Sequence, residues 1–153
     1  MRVTLDTNVL VSAFISKHGH SADILDIVAT FDEITLVLSE DVLEEFADVM
    51  DRTEVGKRFG YTRADVSAFE GTIRGVAEMI RVTSSFRVIE EDPDDGAVVN
   101  TAYDGKADYI VSGDKHLRKL RKFKGTRIVT PNTFLSIILK TFGDLILLKI
   151  NLK

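Results

Sequence analysis

The sequence predicts an α/β domain built around a mostly parallel sheet, and three observations carry that prediction. Short apolar, β-branched runs alternate with stretches of helical spacing along the chain. Two of these runs lead into an aspartate, Asp6 and Asp114, as buried strands do where they leave a sheet for a polar turn. The 153 residues, 44% of them apolar, suit one domain that buries its own core without staples.

Taken in order, RVTL at 2–5 reads as a buried strand ending at Asp6. Helical spacing follows at once, is broken by Lys-His-Gly-His, and resumes over about 21–30. ITLVL at 34–38 is the clearest buried strand of the first half, and Ser39 offers an N-cap to a helix running to about Met50. The segment 51–61 is polar and contains glycine; Thr62 with Asp65 then makes a capping-box-like start for a long helix to about Arg81. Val66, Phe69, Ile73, Val76 and Ile80 recur in a 3,4,3,4 rhythm, which marks core or a helix-hairpin seam rather than a partner-binding face.

An acidic turn containing DPDD comes next, then a helix of about ten residues and the strand YIVS, which leads through Gly113 to Asp114. A charged helix over 115–122 leads to the strand RIVT, and Thr130-Pro131 is a good N-cap and N1 pair for a helix to about residue 141. In the tail after Gly143, Leu148, Ile150 and Leu152 alternate with Lys149, Asn151 and Lys153. That pattern predicts an extra strand over the extension 142–153, either on the domain's own sheet edge or across an oligomer interface. The apolar tail also motivates an expectation of homodimers. There is no repeat, low-complexity region or interdomain linker in the sequence.

Composition excludes several chemistries. With no cysteine there is neither a disulfide framework nor a thiolate zinc site, so any metal must be held by oxygen or histidine. The opening MRVTLDTNVLVSAF is broken by Asp6 and reads as neither a signal peptide nor a membrane span; a cytoplasmic location is the expectation. Net charge is −4, unevenly distributed: Lys115, Arg118, Lys119, Arg121, Lys122, Lys124 and Arg127 follow one another with no intervening acid.

Ligand sites of open α/β sheets form beyond the carboxyl ends of the strands, so Asp6 and Asp114 should meet there, with Asp95 at the start of the helix before the later strand. On the helix after Ser39, Glu45 falls beside the apolar arc of Val42, Leu43, Phe46, Val49 and Met50, whereas Glu44 points away. Converging carboxylates repel and call for a divalent cation, and an oxygen-only donor set favours Mg2+ or Mn2+. Such an ion suits phosphodiester hydrolysis. Each acid has a plainer reading as a helix cap or turn residue; the joint pattern carries the inference.

These segments resemble the PIN-domain family over essentially the whole chain to about residue 141. LDTNVLVSAF is similar to its opening strand with the first acidic position, VLSEDVLEEFADVM to the segment with the second, and DPDDGAVVNTAYDGKADYIVSGDKHL to the signature with the third and fourth. The resemblance implies a three-layer α/β/α sandwich and metal-dependent cleavage of RNA, with Asp6, Glu45, Asp95 and Asp114 as catalytic metal ligands. It implies supporting roles for Asp92, Thr7, Asn8 and Ser112. By size the chain resembles the VapC toxins, which implies a cognate antitoxin protein as partner.

The cluster Lys115, Arg118, Lys119, Arg121 and Lys122 directly follows Asp114, where it would hold RNA phosphates with salt-dependent affinity; its alternative is a solvated face, with Leu117, Leu120 and Phe123 turned inward. His18, His20 and His116 lack the paired spacing of a zinc enzyme. Two other classes compete with the ribonuclease: a catalytically silent PIN-like module that binds RNA or protein, and a signalling receiver domain, for which ITLVLSEDV supplies no acceptor aspartate.

Overall fold

The computed structural model describes residues 1–88 and 95–151, except the side chains of Asp95, Ile150 and Asn151. The chain opens with β1 (Arg2–Leu5), α1 (Thr7–Ile15), α2 (His20–Thr30), β2 (Thr35–Leu38) and α3 (Glu40–Met50). Next come α4 (Thr53–Phe59), α5 (Arg63–Val76) and β3 (Glu78–Met79). The second half holds α6 (Asp95–Asp104), β4 (Tyr109–Val111), α7 (Lys115–Lys119), β5 (Lys122–Phe123), β6 (Thr126–Val129) and α8 (Pro131–Asn151).

The sheet has the order β3-β2-β1-β4-β6-β5. Its pairs are parallel except β5–β6, a hairpin whose two turn residues, Lys124 and Gly125, take φ of 45° and 88°. Positive φ at both positions matches the twist of the paired strands, and glycine makes it free of strain at Gly125. β1 lies between β2 and β4, so the strand order reverses beside it; there the carboxyl ends of two neighbouring strands feed connections that leave in opposite directions. This crevice is where the site lies.

Capping explains several helix starts. The Ser39 hydroxyl accepts from the Val42 amide, and Thr62 and Asp65 close a reciprocal capping box at the head of α5. Val3, Leu5, Leu36, Leu38 and Ile110 from the strands pack with Phe46 and Phe134, all essentially excluded from water. Phe14 ties the first helix to the third and fifth, its ring lying edge-on to Phe46 and Phe69 at 6.2 and 5.2 Å. The stripe on α5 therefore faces inward, with Ile73 buried and Val66, Phe69 and Val76 packed against the core.

The structure corrects four boundaries. Residues 51–61 contain a helix, α4, closed by Gly60 at φ 69°. The helix after Thr62 ends at Val76 rather than Arg81; Ile80 continues as extended chain, its amide bonded to the Leu38 carbonyl at 2.7 Å. The charged helix stops at Lys119 because Arg121 turns left-handed at φ 58° and the chain becomes β5; Leu120 is left exposed rather than turned inward.

The fourth correction is the largest: 142–151, the described part of the expected extra strand, is helical, because α8 runs unbroken through the expected boundary. Phe134, Ile138 and Ile146 fall on one buried helical stripe. Extending an existing helix gains a hydrogen bond per residue without a new nucleus, which a short alternation cannot outweigh. Lys149 anchors this end, pairing with Glu33 at 3.1 Å and lying over the Phe31 ring. By length and composition Pro131–Lys149 is apolar enough to span a membrane, yet Phe134 and Ile138 are at 0% exposure in the core. Its outer face leaves Leu139, Leu147 and Leu148 more than half exposed.

Candidate active site

Asp6 ends β1 and caps α1, so its position is set by two elements at once. Its amide donates to the Val111 carbonyl of β4 at 2.9 Å, and its Oδ1 accepts from the Thr7 amide at 2.8 Å. Oδ2 accepts from the Ser112 hydroxyl at 2.6 Å and from the Asn8 side-chain amide at 3.0 Å. Ser112 is fully buried and in turn accepts from the Asp114 amide at 3.0 Å, while Asn8 Oδ1 accepts from the Gly113 amide at 3.1 Å. The turn after β4 is thus clamped onto the turn after β1 by side chains from both.

Asp114 caps α7, its Oδ1 accepting from the amides of His116 and Leu117 at 2.7 and 3.1 Å. Glu45 is half-buried on α3 and Glu44 is exposed, as the helical geometry predicts. Glu45 reaches the site through Thr7, whose hydroxyl donates to Glu45 Oε2 at 2.7 Å. Asp95 is the first residue of α6, and a helix leading back to a parallel strand begins at that strand's carboxyl end, which puts its backbone on the same edge. Its side chain and Asp92 lie outside the described residues.

Electrostatics single out Asp6. Burial pushes its carboxyl above the ordinary range; the Ser112, Thr7 and Asn8 hydrogen bonds pull it back in part, and the Asp114 charge raises it further. A buried carboxylate beside a second one is the arrangement a hard cation relieves, and the donor set is oxygen only. Among the described residues, no three acidic or histidine side chains close into a metal cluster. The described part of the site therefore offers Asp6 and Asp114 as a pair of oxygen ligands, with Glu45 joined to it through Thr7.

Lys115, Arg118, Lys119, Arg121 and Lys122 are all exposed, and among the described residues none forms an ion pair; Lys115, Arg118 and Lys119 lie on the helix that Asp114 caps, whereas Lys122 is paired in β5 with Arg127, level with the amino end of β4 and so on the far edge of the sheet. Lys124 and Arg127 instead rest over the Phe86 and Tyr109 rings. The sequence carried no signal for two further features. Asn100 and Asp104, one turn apart on α6, hold the strap before the acidic segment: Asn100 Oδ1 accepts from the Phe86 amide, and Asp104 accepts from the amides of Thr83 and Ser84 and from the Ser84 hydroxyl. A cavity of about 290 Å³ opens beside Asp114, lined by Asn8, Val9, Ser12, Ser21, Gly113 and Pro131 as well. Spacing along the chain could not reveal it, because its walls come from four separate segments.

Fold and site together define an α/β domain with a carboxylate pair at the switch point of a parallel sheet. A family model described as PIN domain matches residues 2–116, and the chain belongs to that family. It is 32% identical over 122 residues to an uncharacterized protein of Methanocaldococcus jannaschii, covering 79% of this chain and 76% of that one. Three solved structures share the fold at low identity. The structure of VapBC2 from Rickettsia felis, bound to a DNA fragment from its promoter, aligns with a TM-score of 0.55 at 15% identity, covering 84% of this chain and 97% of that one. PAE2754 from Pyrobaculum aerophilum aligns at 0.59 and 14%, covering 92% and 90%. The PIN domain of RRP44 from T. brucei aligns at 0.52 and 15%, covering 95% and 86%.

Proposed function

We propose that this protein is a divalent-metal-dependent endoribonuclease. The observation that carries the reading is the Asp6–Asp114 pair: two carboxylates from different strands held together at a crevice, one of them buried and raised by that burial. Membership of the PIN family supports the same chemistry. Asp6 and Asp114 would hold Mg2+ or Mn2+, with Asp95 contributing from the head of α6 and Glu45 orienting the attacking water from the Thr7 side. When bound, the ion would activate water and stabilise charge at the phosphoryl group.

The chain's own residues prepare that chemistry. Ser112 and Asn8 keep Asp6 Oδ2 hydrogen-bonded, which favours its ionised form against burial. Thr7 fixes Glu45, and the α7 amides fix Asp114. Lys115, Arg118 and Lys119, exposed on the helix that Asp114 caps, supply positive charge near the site that would attract a phosphate backbone, with affinity that falls as salt rises.

The toxin role is the finer reading. The chain resembles VapC toxins in size, and its fold likeness to VapBC2 supports a cognate antitoxin-like partner. The exposed leucines of α8 support a homodimer. The test is cleavage of a labelled RNA pool by wild type and Asp6→Asn, with Mg2+ or Mn2+ and with chelator. Metal-dependent cutting that disappears in Asp6→Asn is expected; a folded wild type that cuts nothing would instead favour a silent binding module.

A further inference from the structure

Left-handed backbone is rare away from glycine, and in this chain it falls on cations. Among the described residues the non-glycine positions with positive φ are Lys106, Arg121 and Lys124, at 54°, 58° and 45°. A Cβ makes this conformation unfavourable, and glycine or asparagine is the residue a turn ordinarily places there. A basic side chain at each of the three marks a charge that is used, not a turn requirement.

Two of them meet at the amino edge of the sheet, opposite the crevice. β4 and β6 run parallel with Tyr109 level with Arg127, and the Thr126 hydroxyl donates to the Ala107 carbonyl at 2.8 Å. The turn carrying Lys106 and the hairpin carrying Lys124 therefore lie side by side. Lys122 and Arg127, paired across the β5–β6 ladder, project to the other face from Phe123 and add to the positive field of the same edge. All four cations are exposed, and among the described residues none has an ion-pair partner. The neighbouring acids are turned to amides, Asp104 to those of Thr83 and Ser84 and Asp108 to that of Arg2.

An aromatic platform lies between the two turns. Tyr103 is 45% exposed, and its carbonyl accepts from the Lys106 amide at 3.2 Å. Phe86 stands edge-on to Tyr103 at 4.9 Å and to Phe123 at 5.4 Å, with Lys124 Nζ 5.3 Å over its ring. An open ring flanked by cations matches single-stranded nucleic acid, in which phosphates alternate with unpaired bases. A duplex would hide its bases, and an acidic peptide would leave the ring unused.

We propose that this surface anchors single-stranded RNA away from the crevice, with phosphates at Lys106 and Lys124 and a base stacked on Tyr103. The inference rests on the nuclease reading for the identity of the strand, and adds a contact that selects unpaired RNA long enough to reach both places. At about 3.3 Å per strand residue, the level of Tyr109 lies roughly 15 Å from Asp114, a span of a few nucleotides.

The test is binding of a labelled single-stranded oligoribonucleotide, read by anisotropy over a salt series in chelator, where nothing is cut. Lys106→Asn combined with Lys124→Asn should weaken binding about tenfold at low salt and make the slope of log affinity against log salt shallower by about 1.4. Asparagine accepts the left-handed conformation, so this double variant should keep its Tm. Tyr103→Ala should also weaken binding about tenfold but leave the slope as it is, and Tyr103→Phe should bind as wild type. Unchanged affinity and slope in the double variant would overturn the surface whether or not the protein cuts RNA. So would a neutral Tyr103→Ala, equal binding of a duplex of the same sequence, or displacement by polyglutamate as readily as by unlabelled RNA. The expected losses in a protein that cuts nothing with Mg2+ or Mn2+ would keep the surface and remove the nuclease reading.

Discussion

Asp6 concentrates the chemistry of the site in one side chain, and its protonation gives a signed prediction. Its folded-state carboxyl is raised above the ordinary value of 3.8. In chelator, the stabilisation from its protonation is fully present below that value and is lost as pH rises through the higher folded one. Asp6→Asn should remove this dependence and, in chelator, raise Tm at neutral pH relative to wild type. Mg2+ or Mn2+ should raise the Tm of wild type and not of the variant; equal shifts in both would place the ion elsewhere. Ser112→Ala acts in the opposite direction. Loss of its bonds to Asp6 and to the Asp114 amide should cost about 1–3 kcal/mol, and the acidic limb of the pH–activity profile should move to higher pH. Asp6 and Asp114 could be found in the sequence because each follows a readable strand. The Thr7–Glu45 link could not, because it joins two helices whose approach is set by packing.

Among the elements, the strap over 83–86 and α8 separate local from tertiary control. Asp104 is held below the ordinary carboxylate range by the Ser84 hydroxyl and the amides of Ser84 and Thr83. That contribution is present above the unfolded value of 3.8 and is lost as pH falls through the lower folded one. Hydrogen exchange at the Ser84 amide, corrected for intrinsic rate, should therefore lose protection on acidification and in Asp104→Ala at neutral pH; unchanged protection in Asp104→Ala would show that packing alone holds the strap. For α8, Ile146→Ala should cost about 2–4 kcal/mol by denaturant unfolding, since its side chain is buried where a strand-like tail would have left it free. A loss under about 0.5 kcal/mol would mean that the end of the helix is detached from the core.

The whole molecule poses the question of what covers the outer face of α8. Leu139, Leu147 and Leu148 are exposed along one helix and are the most exposed large apolar side chains among the described residues. Leu147→Lys combined with Leu148→Lys should leave the unfolding transition within about 0.5 kcal/mol of wild type when both are diluted until monomeric. In light scattering the wild type should have twice the mass of the variant; a monomeric wild type would remove the dimer from the proposal.

Local information determined the strands 2–5 and 34–38, the caps Ser39, Thr62 and Thr130, and the two aspartates that follow β1 and β4, because period, capping chemistry and turn residues act over a few neighbours. The strand order, the helical fate of the tail, the Asn8–Ser112 clamp between two turns and the cavity around Ser21 were decided only by tertiary structure. Each depends on segments far apart in sequence whose distance is set by core packing, and no window along the chain contains both sides of such a contact.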